Sequence, residues 1–249
     1  MRMGEERHHH DHRIPRVLSF ALRGIDALPV EIECDERFSS SANDDKQPKT
    51  SLVGLPDASV RESGTRVRAA LSNSGFPTPR GNCTVNLAPA ELRKEGPVYD
   101  LPIAVALLRM QGILAEASDD RLARFALAGE LALDGMVRPI RGATSLAFLA
   151  RTQGLRGVVL PIENAPEAAA VAGVEVYGVS NLKEAVGFLS GLYDLPREQA
   201  PEECPPPFGA AIDFSEVRGQ EAAKRALALA AAGGHNALLI GPAGSGKTM

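Results

Sequence analysis

The chain has 249 residues, 44% of them hydrophobic and 23% charged, which supplies a packed core and excludes a disordered polypeptide. With 27 basic and 31 acidic side chains the net charge is −4, and aromatics at 4% without Trp exclude both a generic nucleic-acid sponge and a base-stacking platform. No apolar run reaches the ~18 residues of a membrane helix, and the three scattered cysteines Cys34, Cys83 and Cys204 form neither a disulfide framework nor a zinc site and suit a reducing cytoplasm.

Residues 1–15 read as a disordered tail in which His8, His9, His10 and His12 are incidental. Strands are expected at Val17–Leu22, Val30–Cys34 and Leu52–Leu55, with the polar segment Ser39–Thr50 as a loop. Asp57 is a good N-cap for a helix running to about Asn73, closed by Gly75, with Val60, Val67 and Leu71 on its buried face. Thr84–Leu87 reads as a strand, and a loop from Ala88 to Tyr99 leads into an apolar helix, Pro102–Met110. Phe125–Leu133 and Met136–Ile140 flank Asp134-Gly135, a hairpin signal because that pair tolerates positive φ.

An alternation comes next: helix Ala143–Gln153, strand Gly157–Leu160, helix Ala165–Ala172, strand Val174–Val179 and helix Leu182–Leu189. That rhythm predicts a layered α/β (α+β) domain over residues 16–193. Residues 194–211, with Pro196, Pro201, Pro205, Pro206 and Pro207, read as an interdomain linker. A second domain, 212–249, opens with an Ala/Leu helix at Gln220–Ala232, stopped by Gly233-Gly234 and followed by the short apolar strand Ala237–Ile240.

The last residues carry the sharpest chemical signal. Gly241-Pro242-Ala243-Gly244-Ser245-Gly246-Lys247-Thr248 matches the phosphate-loop pattern G-x-x-x-x-G-K-[ST]. A glycine-rich backbone there turns its N–H groups onto phosphate oxygens, Lys247 reaches the β- and γ-phosphates, and Thr248 offers its hydroxyl to Mg²⁺. All eight residues are the expected nucleotide site, with ATP and Mg as cofactors. One residue follows Thr248, so the expectation is a motor domain truncated after this loop.

Val217-Arg218-Gly219-Gln220-Glu221, then Gly233-Gly234-His235-Asn236 and the phosphate loop, resemble the entry to the AAA+ module of the magnesium-chelatase-like ComM/YifB group. In the first domain Val53-Gly54-Leu55-Pro56-Asp57, Val85-Asn86-Leu87-Ala88-Pro89-Ala90, Lys94-Glu95-Gly96-Pro97 and Tyr99-Asp100-Leu101-Pro102-Ile103-Ala104 agree. The resemblance spans roughly Arg16 to Met249 and departs at Phe38–Thr50. It implies a first domain of the Lon-protease-like, ribosomal-S5-domain-2-like fold. It also implies a hexameric ring-forming DNA helicase that drives branch migration during recombination or natural transformation. A magnesium-chelatase-type remodelling motor, and a non-enzymatic interaction domain, are the alternatives.

The same resemblance raises the question of peptidase chemistry, which needs a serine and a desolvated lysine. In Lon-type peptidases the serine lies in a Pro-Ser-Ala-Gly segment opening a helix. The matching stretch is expected at Asp100–Ala104, and the lysine's place falls near Thr144 in Ile140–Thr144. Neither group is present, so no catalytic residue is assigned. Arg61, Arg66, Arg68, Arg80, Arg93 and Lys94 form a candidate basic surface for DNA phosphates, set against the interleaved Asp57, Glu62, Glu91 and Glu95.

Overall fold

A computed structural model of the chain describes residues 16–37, 48–115, 118–200 and 213–242. The His-rich tail, most of the variant loop at 38–50 and residues 243–249, which hold most of the phosphate loop, lie outside that set. The chain divides into two units, Met1–Pro201 and Glu202–Met249.

The first unit is built on a seven-stranded sheet. Its first hairpin joins β1 (Arg16–Arg23) to β2 (Asp26–Arg37) in antiparallel register from Arg16↔Glu33 to Arg23↔Asp26. β2 pairs on its other side with β4 (Asn82–Ala88), and β4 pairs in parallel with the edge strand β3 (Thr50–Val53). Beyond β1 the sheet turns parallel through β5 (Phe125–Leu127), β8 (Gly157–Pro161) and β9 (Glu175–Val179). The order is β3-β4-β2-β1-β5-β8-β9. β8 is buried at every residue and reads as an unbroken apolar run, as a strand covered on both faces must.

Helices cover the two faces. α1 (Ala58–Asn73), α2 (Asp100–Met110) and α6 (Leu182–Leu189) contribute Val60, Leu71, Leu101, Val105 and Phe188 to one core with Ile32, Val85, Leu127 and Val159. α4 (Ala143–Thr152) and α5 (Ala165–Ala169) contribute Leu146, Ala150 and Ala168 to the other core, against Phe20, Ala126, Val158 and Leu160. Neighbouring residues on one strand enter opposite cores because side chains alternate across a sheet. The helix expected from Asp57 is present with that cap: the Asp57 carboxylate accepts from the Val60 N–H at 2.8 Å.

Several elements differ from expectation. The strand expected at Phe125–Leu133 ends after Leu127: the Ala128 N–H still bonds the Val159 carbonyl of β8, but the Gly129 N–H turns to the Val98 carbonyl. The chain then forms a two-stranded ribbon of β6 (Glu130–Leu131) and β7 (Val137–Arg138), closed at Asp134-Gly135 with Gly135 at φ +88. A short helix, α3 (Asp119–Arg124), precedes β5 without having been expected, its apolar side reduced to the single buried Leu122. The linker boundary also moves. The Glu198 N–H bonds to the Val176 carbonyl and Arg197 to the Val174 carbonyl, so the first unit holds the chain several residues beyond Asp194.

The second unit contains a 3-10 turn at Phe214–Glu216 and α7 (Glu221–Ala232). Asp213 and Glu216 form a reciprocal capping box around the turn. α7 buries none of its residues among those described. The strand expected at Ala237–Ile240 is not formed, and Leu238 and Ile240 are 83% and 87% exposed. A strand needs a neighbour to take its N–H and C=O groups, and no described strand pairs with this segment.

Candidate functional site

The approach to the phosphate loop is described as far as Pro242. α7 ends at Ala232 with Gly233 as its cap, Gly234 turns the chain at φ +62, and the His235 N–H closes back on the Ala230 carbonyl at 2.8 Å. Of the expected nucleotide site, Gly241 and Pro242 fall among the described residues, while Ala243, Gly244, Ser245, Gly246, Lys247 and Thr248 lie outside them. Their chemistry fits a magnesium nucleoside triphosphate, combining a cation, a hydroxyl and glycines without side chains to block phosphate approach.

In the first unit the structure gathers the sequence motifs into one interlocked assembly. Gly54 sits at φ +99, where an added Cβ would lie 2.1 Å from the Leu87 carbonyl oxygen, so only glycine lets the two backbones meet there. Lys94 donates its N–H to the Leu55 carbonyl, and its own carbonyl accepts from Asp57 at 3.0 Å. The second Asp57 carboxylate oxygen accepts from the Gly96 N–H. Thus Gly54–Asp57, Pro89 and Lys94–Gly96 are tied together by hydrogen bonds to the backbone, and their spacing in the sequence reflects this lock.

Lys94 is fully buried and donates its ammonium to the Pro89 carbonyl. Burial holds its pKa below the usual lysine value, with Glu91 pulling the other way. Arg66 makes a two-pronged pair with the fully buried Asp100, at 2.8 and 3.0 Å, and also reaches the Ser63 hydroxyl and the Ser59 carbonyl. Asp100 additionally accepts from the Leu131 N–H at 3.2 Å. Burial pushes the Asp100 carboxyl above its ordinary range, opposed chiefly by Arg66, while the Asp100 hydrogen bond holds the guanidinium charged.

These contacts dismantle the basic surface expected from the sequence. Lys94 is inside, Arg66 is consumed by Asp100, Arg68 donates to the Pro79 carbonyl, and Arg93 pairs with Glu95 at 3.1 Å. Arg61 and Arg80 stay exposed. Linear spacing could not reveal that an arginine on α1 points at an aspartate 34 residues away.

α2 starts at Asp100, so the stretch Asp100–Ala104, expected to match the serine segment, does open a helix, and the 3-10 turn Pro97–Tyr99 precedes it. Neither segment carries a serine. Thr144 donates its hydroxyl to the Glu167 carbonyl at 3.3 Å.

Val98 lines a cleft of about 400 Å³ that sequence reading missed. One wall is Phe20, Ala21 and Leu22 of β1; the other is Pro139, Ile140 and Arg141. Glu130, Tyr99 and the Arg93–Glu95 pair complete it. The Asn164 side chain clamps Ile140 on both backbone groups, at 2.8 and 3.0 Å, fixing the second wall. The cleft joins segments far apart in the chain and so has no local signature.

Among known protein families, a model described as subunit ChlI of Mg-chelatase matches residues 41–164, and one described as magnesium chelatase, subunit ChlI, matches residues 213–249. YifB of Salmonella typhimurium is 42% identical over 229 residues, covering 92% of this chain and 43% of YifB. The competence protein ComM of Haemophilus influenzae is 42% identical over 236 residues, covering 94% of this chain and 44% of ComM. Lon protease 1 of Sorangium cellulosum is 28% identical over 166 residues, 62% of this chain and 20% of that protease. The chain therefore spans less than half the length of the curated relatives it matches.

Proposed function

The chain belongs to the magnesium-chelatase-like group that contains YifB and ComM, and from that premise we propose that it is the N-terminal portion of an ATP-driven AAA+ motor acting on DNA. The observation that carries this reading is the phosphate-loop sequence Gly241–Thr248, placed directly behind an apolar segment and the α7 helix. ATP is the proposed nucleotide, held by the loop amides and Lys247. Thr248 would hold Mg²⁺, which neutralises phosphate charge when bound. The first unit is proposed as a Lon-like, ribosomal-S5-domain-2-like module without peptidase chemistry, joined through the Pro-rich segment to the start of the motor.

The name of ComM, a competence protein, supports a role in handling incoming DNA. On this reading the complete protein assembles in the cytoplasm as a hexameric ring, hydrolyses ATP between subunits and migrates branched DNA during recombination. The description of the matching family, a chelatase subunit, favours the second reading: a motor that remodels a protein partner. ATP hydrolysis by a chain completed with the remaining sequence of ComM separates them. Stimulation by branched or single-stranded DNA supports the helicase, and hydrolysis indifferent to every DNA form supports the remodelling motor. Absence of any nucleotide binding in that completed chain leaves the interaction module as the reading.

A further inference from the structure

The cleft beside Val98 joins an apolar lining to charged side chains. Leu22 is 42% exposed, and Val98 and Ile140 are half-buried, so apolar surface meets solvent in a concave site instead of being packed away. Its volume of about 400 Å³ falls in the ~300–1,000 Å³ range of small-molecule sites. Each wall is fixed from behind. The Gly129 N–H holds the Val98 carbonyl at 2.9 Å, and Asn164 holds both backbone groups of Ile140. Gly142, at φ +86, lies so close to Leu22 that an added Cβ would sit 2.8 Å from its δ1 carbon. The turn that carries Arg141 is thereby pressed against the end of β1. The cleft is formed before any occupant arrives, which spares that occupant the cost of ordering it.

The lining charges sort by partner. Glu95 pairs with Arg93 at 3.1 Å, and Glu130 with Arg138 at 3.5 Å. Arg141 lines the cleft, is exposed, and has no acidic partner among the described residues. One positive charge is thus left over beside an apolar hollow. A cationic ligand would find both carboxylates already engaged, and a di- or triphosphate would bring several negative charges to a single available cation.

We infer that this cleft binds a small amphipathic acid, a branched or aromatic apolar body bearing one carboxylate, with the body against Val98 and Ile140 and the carboxylate on Arg141. Burial of the apolar body supplies most of the affinity. The planar guanidinium matches a carboxylate bidentately and selects the charged end. Because Arg141 is exposed, solvent screens the pair, and the preference for acid over neutral isostere is a modest factor rather than several orders of magnitude.

The test uses the 249-residue chain without nucleotide, so that its outcome is separate from that of the motor reading. The probes are 4-phenylbutanoate, 4-methylpentanoate and the primary amide of each, followed by saturation-transfer NMR and by amide chemical shifts of the protein. The acids should bind with Kd on the order of 1 mM, and the amides about five-fold more weakly. Shift changes should cluster at Leu22, Val98 and Ile140. Arg141→Gln should make acid and amide bind alike, and Arg141→Lys should keep part of the preference. Leu22→Glu, which sets a carboxylate on an exposed part of the wall, should abolish acid binding. The inference is overturned if neither acid binds, if wild type does not distinguish acid from amide, if Arg141→Gln leaves that distinction intact, or if the shifts move elsewhere. Binding of the tetrapeptide Gly-Gly-Gly-Phe without either free acid would overturn it in favour of a polypeptide C-terminus. A Leu22→Glu chain that fails to fold does not rescue it, because the exposed Arg141 variants decide alone.

Discussion

Replacing Arg66 by Met removes a cation from one of the most buried ion pairs in the first unit. Asp100 has no exposed side-chain surface and Arg66 retains 20%, so solvent screens the pair weakly. Without the guanidinium, Asp100 keeps the Leu131 amide and loses both charged donors. Stranding one partner of a buried pair costs about 3 kcal/mol or more, which at 2–4 °C per kcal/mol for a domain of this size lowers Tm by roughly 6–12 °C.

The pH dependence is set by the direction of the Asp100 shift. Burial already raises its pKa, and loss of Arg66, which opposes the rise, lifts it further. A carboxyl raised above its unfolded value of ~3.9 contributes most at acid pH, and that contribution is lost as pH climbs through the folded pKa. The deficit of Arg66→Met should therefore narrow between pH 7.5 and pH 5. Arg66→Met with Asp100→Leu should recover part of the lost stability, because no charge is then left inside. Thermal melts by far-UV circular dichroism are the assay, as the chain has no Trp to serve as a fluorophore. A single-variant shift under about 3 °C, or a double variant no more stable than the single, would refute the account of this pair.

Lys94 has a lowered pKa, so between that value and the unfolded ~10.4 the unfolded chain binds more protons and stability rises with pH. Urea titrations at pH 7.5 and 9.5 should show wild type gaining on Lys94→Met, and a flat or falling difference argues against a buried ammonium. Gly54→Ala forces a Cβ against the Leu87 carbonyl at positive φ and should cost at least ~2 kcal/mol, read as a lowered urea midpoint; an unchanged midpoint would mean the backbones separate freely. Lys247→Ala should strip ATP binding from a chain completed with ComM sequence; calorimetry on the 249-residue polypeptide is expected to show weak Mg-ATP binding that the same substitution leaves nearly unchanged. Micromolar Mg-ATP binding by the 249-residue chain that vanishes in this variant would contradict that view.

Legible in the sequence was whatever is decided within a few residues. The Asp57 cap, α1 through Asn73, the Asp134-Gly135 turn and α6 at Leu182–Leu189 each rest on local chemistry or periodicity, and each is present. The phosphate-loop pattern and the resemblance to the ComM/YifB group are likewise strings of adjacent residues. Tertiary structure decided the rest. It took Arg66 and Lys94 off the expected basic surface, because a side chain's partner is set by packing across 34 residues and not by its neighbours in the chain. It cut the expected Phe125–Leu133 strand where Gly129 found Val98. It left Ala237–Ile240 without a strand, since a ladder depends on a second strand that local apolarity cannot supply. The cleft beside Val98 belongs wholly to this second class: its walls come from β1, from the turn before α2 and from Pro139–Arg141, segments that only the folded chain brings together.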